Sequence, residues 1–105
     1  MILVTTDNIG DEKLEMLGLV KGSVVRSKNV GRDILAGLKT LVGGEIVSYT
    51  KMMEEARNIA TERMIKEAKA KGADAIVGLR YVSSAVMTGA AEIVAYGTAV
   101  KIKKN

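Results

Sequence analysis

Residues 49–72, YTKMMEEARNIATERMIKEAKAKG, decide the fold because they form the one segment with a clear helical pattern. The segment has no proline and no glycine before its last residue, and it is rich in residues that favour helices. Apolar side chains recur every three or four positions, which places them on one face of a helix of about six turns. They are Met53, Ala56, Ala60, Met64 and Ala68. An apolar face of this length predicts packing against a sheet.

The segments before the helix predict two strands and a short helix. Residues 2–6 are a short β-prone run, and residues 14–27 predict one strand with a bulge at Gly18 or Gly22, or else two short strands. A short helix is predicted from Val30 to the glycine pair at residues 43–44. Asn29 is the predicted cap of that short helix, and Asp33 lies in its first turn. Glu45 and Ile46 are predicted to connect it to the long helix, which Ser48 or Thr50 is predicted to cap.

The segments after the helix predict an antiparallel hairpin. Residues 73–82 alternate as a strand, residues 83–90 predict a loop around Gly89, and residues 91–103 predict the last strand. Strict alternation places Ala75, Val77, Leu79 and Tyr81 on one face of the first of these strands.

The last strand has two different apolar faces. One face carries Ile93, Ala95, Gly97 and Ala99, and the other carries Val94, Tyr96, Thr98, Val100 and Ile102. The smaller residues favour a close approach of the helix, and the larger ones predict a second layer. One monomer cannot cover both faces, so the pattern predicts a homo-oligomer.

Composition limits the function. The chain of 105 residues fits a single domain, has no cysteine and no histidine, and carries a net charge of +4. It therefore has no thiolate or imidazole metal ligand and lacks the commonest general base. The basic residues are scattered without interleaved aromatic residues, which argues against nucleic-acid binding. No signal peptide or membrane span is recognisable, so a cytoplasmic protein is expected.

Several charged and apolar positions have simple interpretations. Asp11, Glu12 and Glu15 lack the spacing of a calcium loop and predict a solvated turn. Asn29, Gly31 and Arg32 resemble only weakly an anion cradle at a helix start. Ile65 falls opposite Ala56 on the long helix, among charged residues, which makes it a candidate subunit contact.

Six motifs at consistent spacing resemble the YbjQ-like family over nearly the whole chain. They are GRDILAGL at 31–38, VGGEI at 42–46, YT at 49–50, AR at 56–57, GADAIVGLRY at 72–81 and AYGTAV at 95–100. The family is described as uncharacterised or as heavy-metal-binding. The resemblance implies a dodecin-like α+β subunit, with one long and one short helix on an antiparallel sheet. It also implies a ring-shaped pentamer with extra short strands at the interfaces.

Three classes of function stay open. The first is a non-enzymatic oligomeric scaffold or binding protein with a ligand between subunits; its candidate positions are Asn29, Arg32, Asp33, Glu45, Tyr49 and Arg57. Pairing of Arg32 with Asp33, or of Glu45 with Arg57, is the simpler interpretation of these charges. The second is metal binding, for which six methionines are the only soft donors. The third is an enzyme using a carboxylate, tyrosine or lysine. The residues do not identify a cofactor.

Overall fold

The described part of the chain, residues 1–27 and 44–104 of a computed structural model, is one mixed sheet with a long helix on one face. Its elements are β1 (Ile2–Leu3), β2 (Lys13–Ser27), α1 (Gly44–Ala70), β3 (Ala75–Met87) and β4 (Ala90–Lys103). The strand order is β1-β3-β4-β2. The predicted α+β class is confirmed, but the sheet is not wholly antiparallel, because β1 runs parallel to β3. The predicted short helix lies outside the described residues.

Helix α1 begins five residues before the predicted start. The helix already includes Gly44, the first described residue after residue 27, so Glu45 and Ile46 lie within it and neither Ser48 nor Thr50 is at its N-cap position. The end matches the prediction. Gly72 has a positive φ of 79°, its N–H donates to Lys69 O at 2.9 Å, and Ala73 N donates to Ala68 O at 3.1 Å. This pair of bonds is the Schellman arrangement, which satisfies carbonyls that the last turn leaves free.

The small residues of α1 let it lie directly on β2 and β4. Ala56, Ala60, Met64 and Ala68 are fully buried and pack against apolar side chains of the sheet. Gly22 of β2 contacts the helix backbone so closely that there is no room for a Cβ. The predicted stripe is thus confirmed for these four residues, whereas Met53 is only half-buried and Met52 is buried.

Irregularities at glycines modify two of the three long strands, β2 and β3. β2 is one strand with a register shift between Met16 and Gly18, as the bulge interpretation predicted. In β3 the register shifts between Val77 and Arg80, where Gly78 adopts a positive φ of 62°. The bulge adds one residue and reverses the alternation, so Leu79 joins the helix-side core while Val77 faces away from it. The prediction that Ala75, Val77, Leu79 and Tyr81 share one face was wrong for this reason.

The hairpin of β3 and β4 is longer than predicted. β3 continues to Met87, so most of residues 83–90, predicted to be a loop, are strand, and Thr88 and Gly89 form the turn. Because of these long strands, the described residues extend 61 × 22 × 16 Å with a radius of gyration of 17.4 Å. A compact domain of similar length has a radius of about 12 to 13 Å.

The N-terminal segment covers part of the face opposite α1. Ile9, Val4 and Leu14 pack on a second apolar cluster formed by Ala75, Val77 and Val100. The predicted faces of β4 agree with this arrangement, since Ile93, Ala95 and Ala99 lie under the helix and Val100 lies on the other side. Among the described residues, the N-terminal segment covers one end of this second face, and no other element packs on the remainder.

Candidate functional site

The sheet face opposite α1, here called the open face, is a largely exposed surface of the described chain. On β2 the buried Val20, Gly22 and Val24 face the helix, so the residues between them point to the open face. The strand register places Leu19 beside Thr98, Lys21 beside Tyr96, Ser23 beside Val94 and Val25 beside Glu92. Leu19, Val25 and Val82 are large apolar side chains of this surface that are more than one-third exposed.

The far half of β3 is exposed on both faces. Helix α1 lies mainly over β2 and β4, and every residue from Arg80 to Thr88 is exposed. The exposed fraction is 49% for Val82, 53% for Val86 and 59% for Met87. Several large apolar side chains on one uncovered strand are typical of a surface that binds another protein.

The outer edge of β3 is paired only at its beginning. β1 pairs with Ala75 and Ile76. In the segment after β1, Thr6 O accepts a hydrogen bond from Gly78 N at 2.8 Å, and Val4 O accepts one from Leu79 N at 3.1 Å. Beyond Arg80, no strand within residues 1–27 and 44–104 pairs with this edge. The free N–H and C=O groups of such an edge can pair with a strand of another chain.

The outer edge of β2 is partly protected by the helix. Lys21 N donates to a Glu67 carboxylate oxygen at 3.2 Å, and an Arg63 guanidinium nitrogen donates to Ser23 O at 2.6 Å. Further along, Arg26 pairs with Glu55 at 2.8 Å. Side chains of α1 thus occupy backbone groups that would otherwise be available to a neighbouring strand, and they bring fixed charges to this edge.

A cleft of about 370 Å³ lies at the other end of the open face. Its floor is apolar, formed by Leu14, Met16, Val77 and Val100, and its rim is polar, formed by Asp7, Asn8, Glu12 and Thr98. The N-terminal segment that forms the rim is held in place by the bonds from Gly78 and Leu79. The Arg80 guanidinium also donates to Thr5 O at 2.9 Å. The cleft is therefore a built feature of the fold.

The residues predicted from sequence as ligand or interface positions are only partly placed. Asn29, Arg32 and Asp33 lie outside the described residues. Glu45 lies in the first turn of α1, and Tyr49 and Arg57 are half-buried further along the same helix. Glu45 and Arg57 are twelve residues apart on α1, about 18 Å along its axis at 1.5 Å per residue. Their pairing across subunits stays a prediction.

Ile65 differs from its predicted environment. It is half-buried and packs against the main core, not exposed among charged residues. The sequence pattern treated α1 as resting on a narrow stripe, whereas the twisted sheet contacts a wider part of its surface. Its assignment as a subunit contact is a prediction that the monomer does not test.

The cleft and the edge of β3 are functional candidates that the sequence patterns do not reveal. The cleft joins residues 7–16 to residues 77–100, and no local pattern reports such a distant contact. For the edge, a weak signal is present: two apolar pairs, Tyr81 with Val82 and Val86 with Met87, flank Ser83 and Ser84 in a segment of which the second part is predicted to be a loop.

The described donors do not fit a soft heavy-metal site within one subunit. In residues 1–27 and 44–104 no group of three or more aspartate, glutamate, cysteine or histidine side chains comes together to hold an ion. Met52 and Met64 are buried in the core, and Met16 and Met87 are exposed at different places on the sheet. Thioether sulfur alone, dispersed in this way, is a poor ligand set for such metals.

The fold defines a small α+β subunit with one helix on a mixed four-stranded sheet, within the part of the chain that the structure describes. The chain belongs to the YbjQ family, whose model matches residues 1–103 and is described as "Putative heavy-metal-binding". No helix in the described residues is long and apolar enough to span a membrane.

Similar proteins cover the whole chain. The UPF0145 protein of Clostridium novyi is 62% identical over 97% of this chain and 99% of its own length. That of Thermotoga maritima is 61% identical over 99% of each chain. A solved structure of a protein of unknown function from Pediococcus pentosaceus, assigned to the DUF74 family, covers 98% of each chain with a TM-score of 0.71 and 17% identity. At that identity the similarity shows the fold alone.

Proposed function

We propose that this protein is a non-enzymatic homo-oligomeric scaffold or binding protein whose subunits associate through the open face and the free edges of the sheet. The observation that carries the proposal is the far half of β3, where an edge that no described strand pairs with and exposed apolar side chains coincide. Assembly would cover both features at once, because strand pairing satisfies backbone groups and packing buries apolar surface.

A ring is the form of assembly that these edges favour. The two outer edges are different surfaces at opposite sides of one sheet. Within the described residues the β3 edge is unpaired beyond Arg80, whereas the β2 edge is available only outside the positions that Glu67 and Arg63 occupy at Lys21 and Ser23. Pairing of two different surfaces is heterologous, and a heterologous contact closes into a ring when its rotation permits. The number of five subunits comes from the family resemblance, as does the dodecin-like arrangement. Candidate ligands would bind between subunits, near Tyr49 and Arg57 of α1.

Val82→Glu tests the interface. We expect native mass spectrometry to find the wild-type protein as a multiple of its 11.2 kDa chain, five-fold for a pentamer. We expect the variant to dissociate, because a buried unpaired carboxylate is costly. Asn58→Glu adds the same charge on the exposed side of α1 and is the matched control. A monomeric wild-type protein, or an assembly that tolerates Val82→Glu as well as Asn58→Glu, would refute this interface.

Metal content is a separate prediction. Because the chain has no cysteine or histidine, we expect protein purified without added metal to contain far less than one zinc, copper or nickel ion per subunit. Elemental analysis by mass spectrometry of the assembled protein measures this ratio directly. A stoichiometric soft metal would favour the metal-binding alternative and would point to methionines brought together between subunits.

A further inference from the structure

We infer that the cleft beneath the N-terminal segment binds a small organic cation with an apolar body, such as a primary ammonium compound. The inference goes beyond the binding role proposed above, because it places a ligand of stated chemical class within one subunit and not between subunits near Tyr49 and Arg57. It rests on three properties of the cleft: its size, its apolar floor and two rim carboxylates that no described residue pairs with.

The size and the floor suit a small molecule. A volume of about 370 Å³ lies within the usual range for ligand pockets, about 300 to 1,000 Å³. Leu14, Val77 and Val100 form a packed floor in which the N-terminal segment also takes part. Gly78 lies beside the rim, and a Cβ there would be 3.8 Å from Asp7 Oδ1. The absence of that side chain leaves the carboxylate next to an open backbone surface.

The charge on the rim selects a cation. Asp7 and Glu12 both line the cleft, and no lysine or arginine is among the described residues that do so. No hydrogen bond or ion pair within the described residues engages either carboxylate. The Arg80 guanidinium, on the strand beside the cleft, donates to Thr5 O and to Leu79 O. The chain as a whole carries a net charge of +4, so the negative charge of this cleft is opposite in sign to the net charge of the chain.

Together these features match an amphipathic amine. The apolar part would lie against Leu14 and Met16, beside the buried Val77 and Val100. The ammonium group would donate to Asp7 and Glu12, with Thr98 Oγ1 and the Asn8 side chain as further polar contacts. Charge-assisted hydrogen bonds are about twice as strong as neutral ones, so the charge should dominate discrimination between ligands of equal shape.

Three matched probes test the inference at pH 7: phenethylammonium, the neutral 2-phenylethanol and the anionic 3-phenylpropanoate. With the cation, backbone amide NMR should show chemical-shift changes at Asp7, Gly78 and Thr98. The alcohol should bind with an affinity lower by a factor of about ten or more. The anion should not bind. Equal binding of all three probes, or shifts confined to other parts of the chain, would overturn the inference.

Substitutions locate the interaction. The double change Asp7→Asn with Glu12→Gln should weaken cation binding about tenfold or more, whereas Glu54→Gln with Glu62→Gln, on the exposed side of α1, should not change it. Met16→Lys introduces a positive charge at an exposed position of the cleft and should abolish binding without affecting folding. Cation binding that survives all of these changes would overturn the inference.

The mass of the assembly, measured on the same samples, separates this inference from the proposed function. An oligomer that binds none of the probes refutes only the ligand class, and a monomer that binds the cation refutes only the assembly. If the wild-type protein does not bind the cation but the Val82→Glu variant does, a side chain of a second copy occupies the cleft. That result would also overturn the inference.

Discussion

Gly22→Ala should destabilise the protein by about 3 kcal/mol, near the upper end of the usual cost of overpacking. A Cβ at this position would lie 2.2 Å from Ala60 O, 2.4 Å from Met64 N and 2.8 Å from Arg63 Cβ. Two of these three atoms belong to the helix backbone, so no side-chain rotation relieves the contact. The helix has to move away from β2, and its buried alanines then lose their contacts with Val20 and Val24.

Urea unfolding monitored by circular dichroism, at one fixed protein concentration, measures the loss. Ser23→Ala is the control, since Ser23 is the next residue of β2, is exposed, and contacts α1 only through its backbone carbonyl. We expect that control to lie within about 0.5 kcal/mol of the wild type. If Gly22→Ala were as stable as Ser23→Ala, α1 would not rest on β2 at this glycine.

The predicted part of the fold depends on local patterns. The stripe of Ala56, Ala60, Met64 and Ala68 follows from helical periodicity, and Gly72 ends the helix because only the left-handed conformation completes its cap. The predicted start of α1 is too late. Ser48 is a residue type that often caps a helix, but no residue from 45 onwards prevents the helix from starting earlier.

The parts that could not be predicted depend on distant contacts. Gly22 was one of two glycines at which a bulge was expected, but its function is to admit the helix, and that is visible only when residues 22 and 60 are in contact. The bulge at Gly78 shifts the residues after it to the opposite face of β3. A strict period of two does not allow for the extra residue. The cleft likewise joins Glu12 to Thr98, which local reasoning separated into a solvated turn and a strand.

The candidate site from sequence and the site from structure therefore overlap little. Sequence reasoning selected polar residues of the shared motifs, such as Tyr49 and Arg57, which the structure places half-buried on α1. The structure adds surfaces defined by what is left uncovered: the edge of β3 and the N-terminal cleft. Uncovered surface is a property of the whole fold, because it depends on where α1 and the N-terminus end.

Met64→Ala should cost about 2 to 5 kcal/mol, the range for removing a fully buried methionine side chain. Met64 has no exposed surface and is among the largest fully buried side chains of the described chain. It belongs to the core cluster that contains Val20, Ile76 and Ile93, so its removal leaves a cavity between α1 and the sheet. The same unfolding measurement reports the effect, again at one protein concentration.

Met53→Ala is the matched control, because it removes the same side chain from the same helix at a half-buried position. The sequence pattern placed Met53 and Met64 on one stripe and predicts similar costs, whereas the structure predicts a clearly smaller cost for Met53. Equal losses would mean that α1 is rotated on the sheet and that Met53 is as deeply packed as Met64. A large loss at Met64 alone would establish the helix register on which the positions of Gly22, Arg63 and Glu67 along β2 depend.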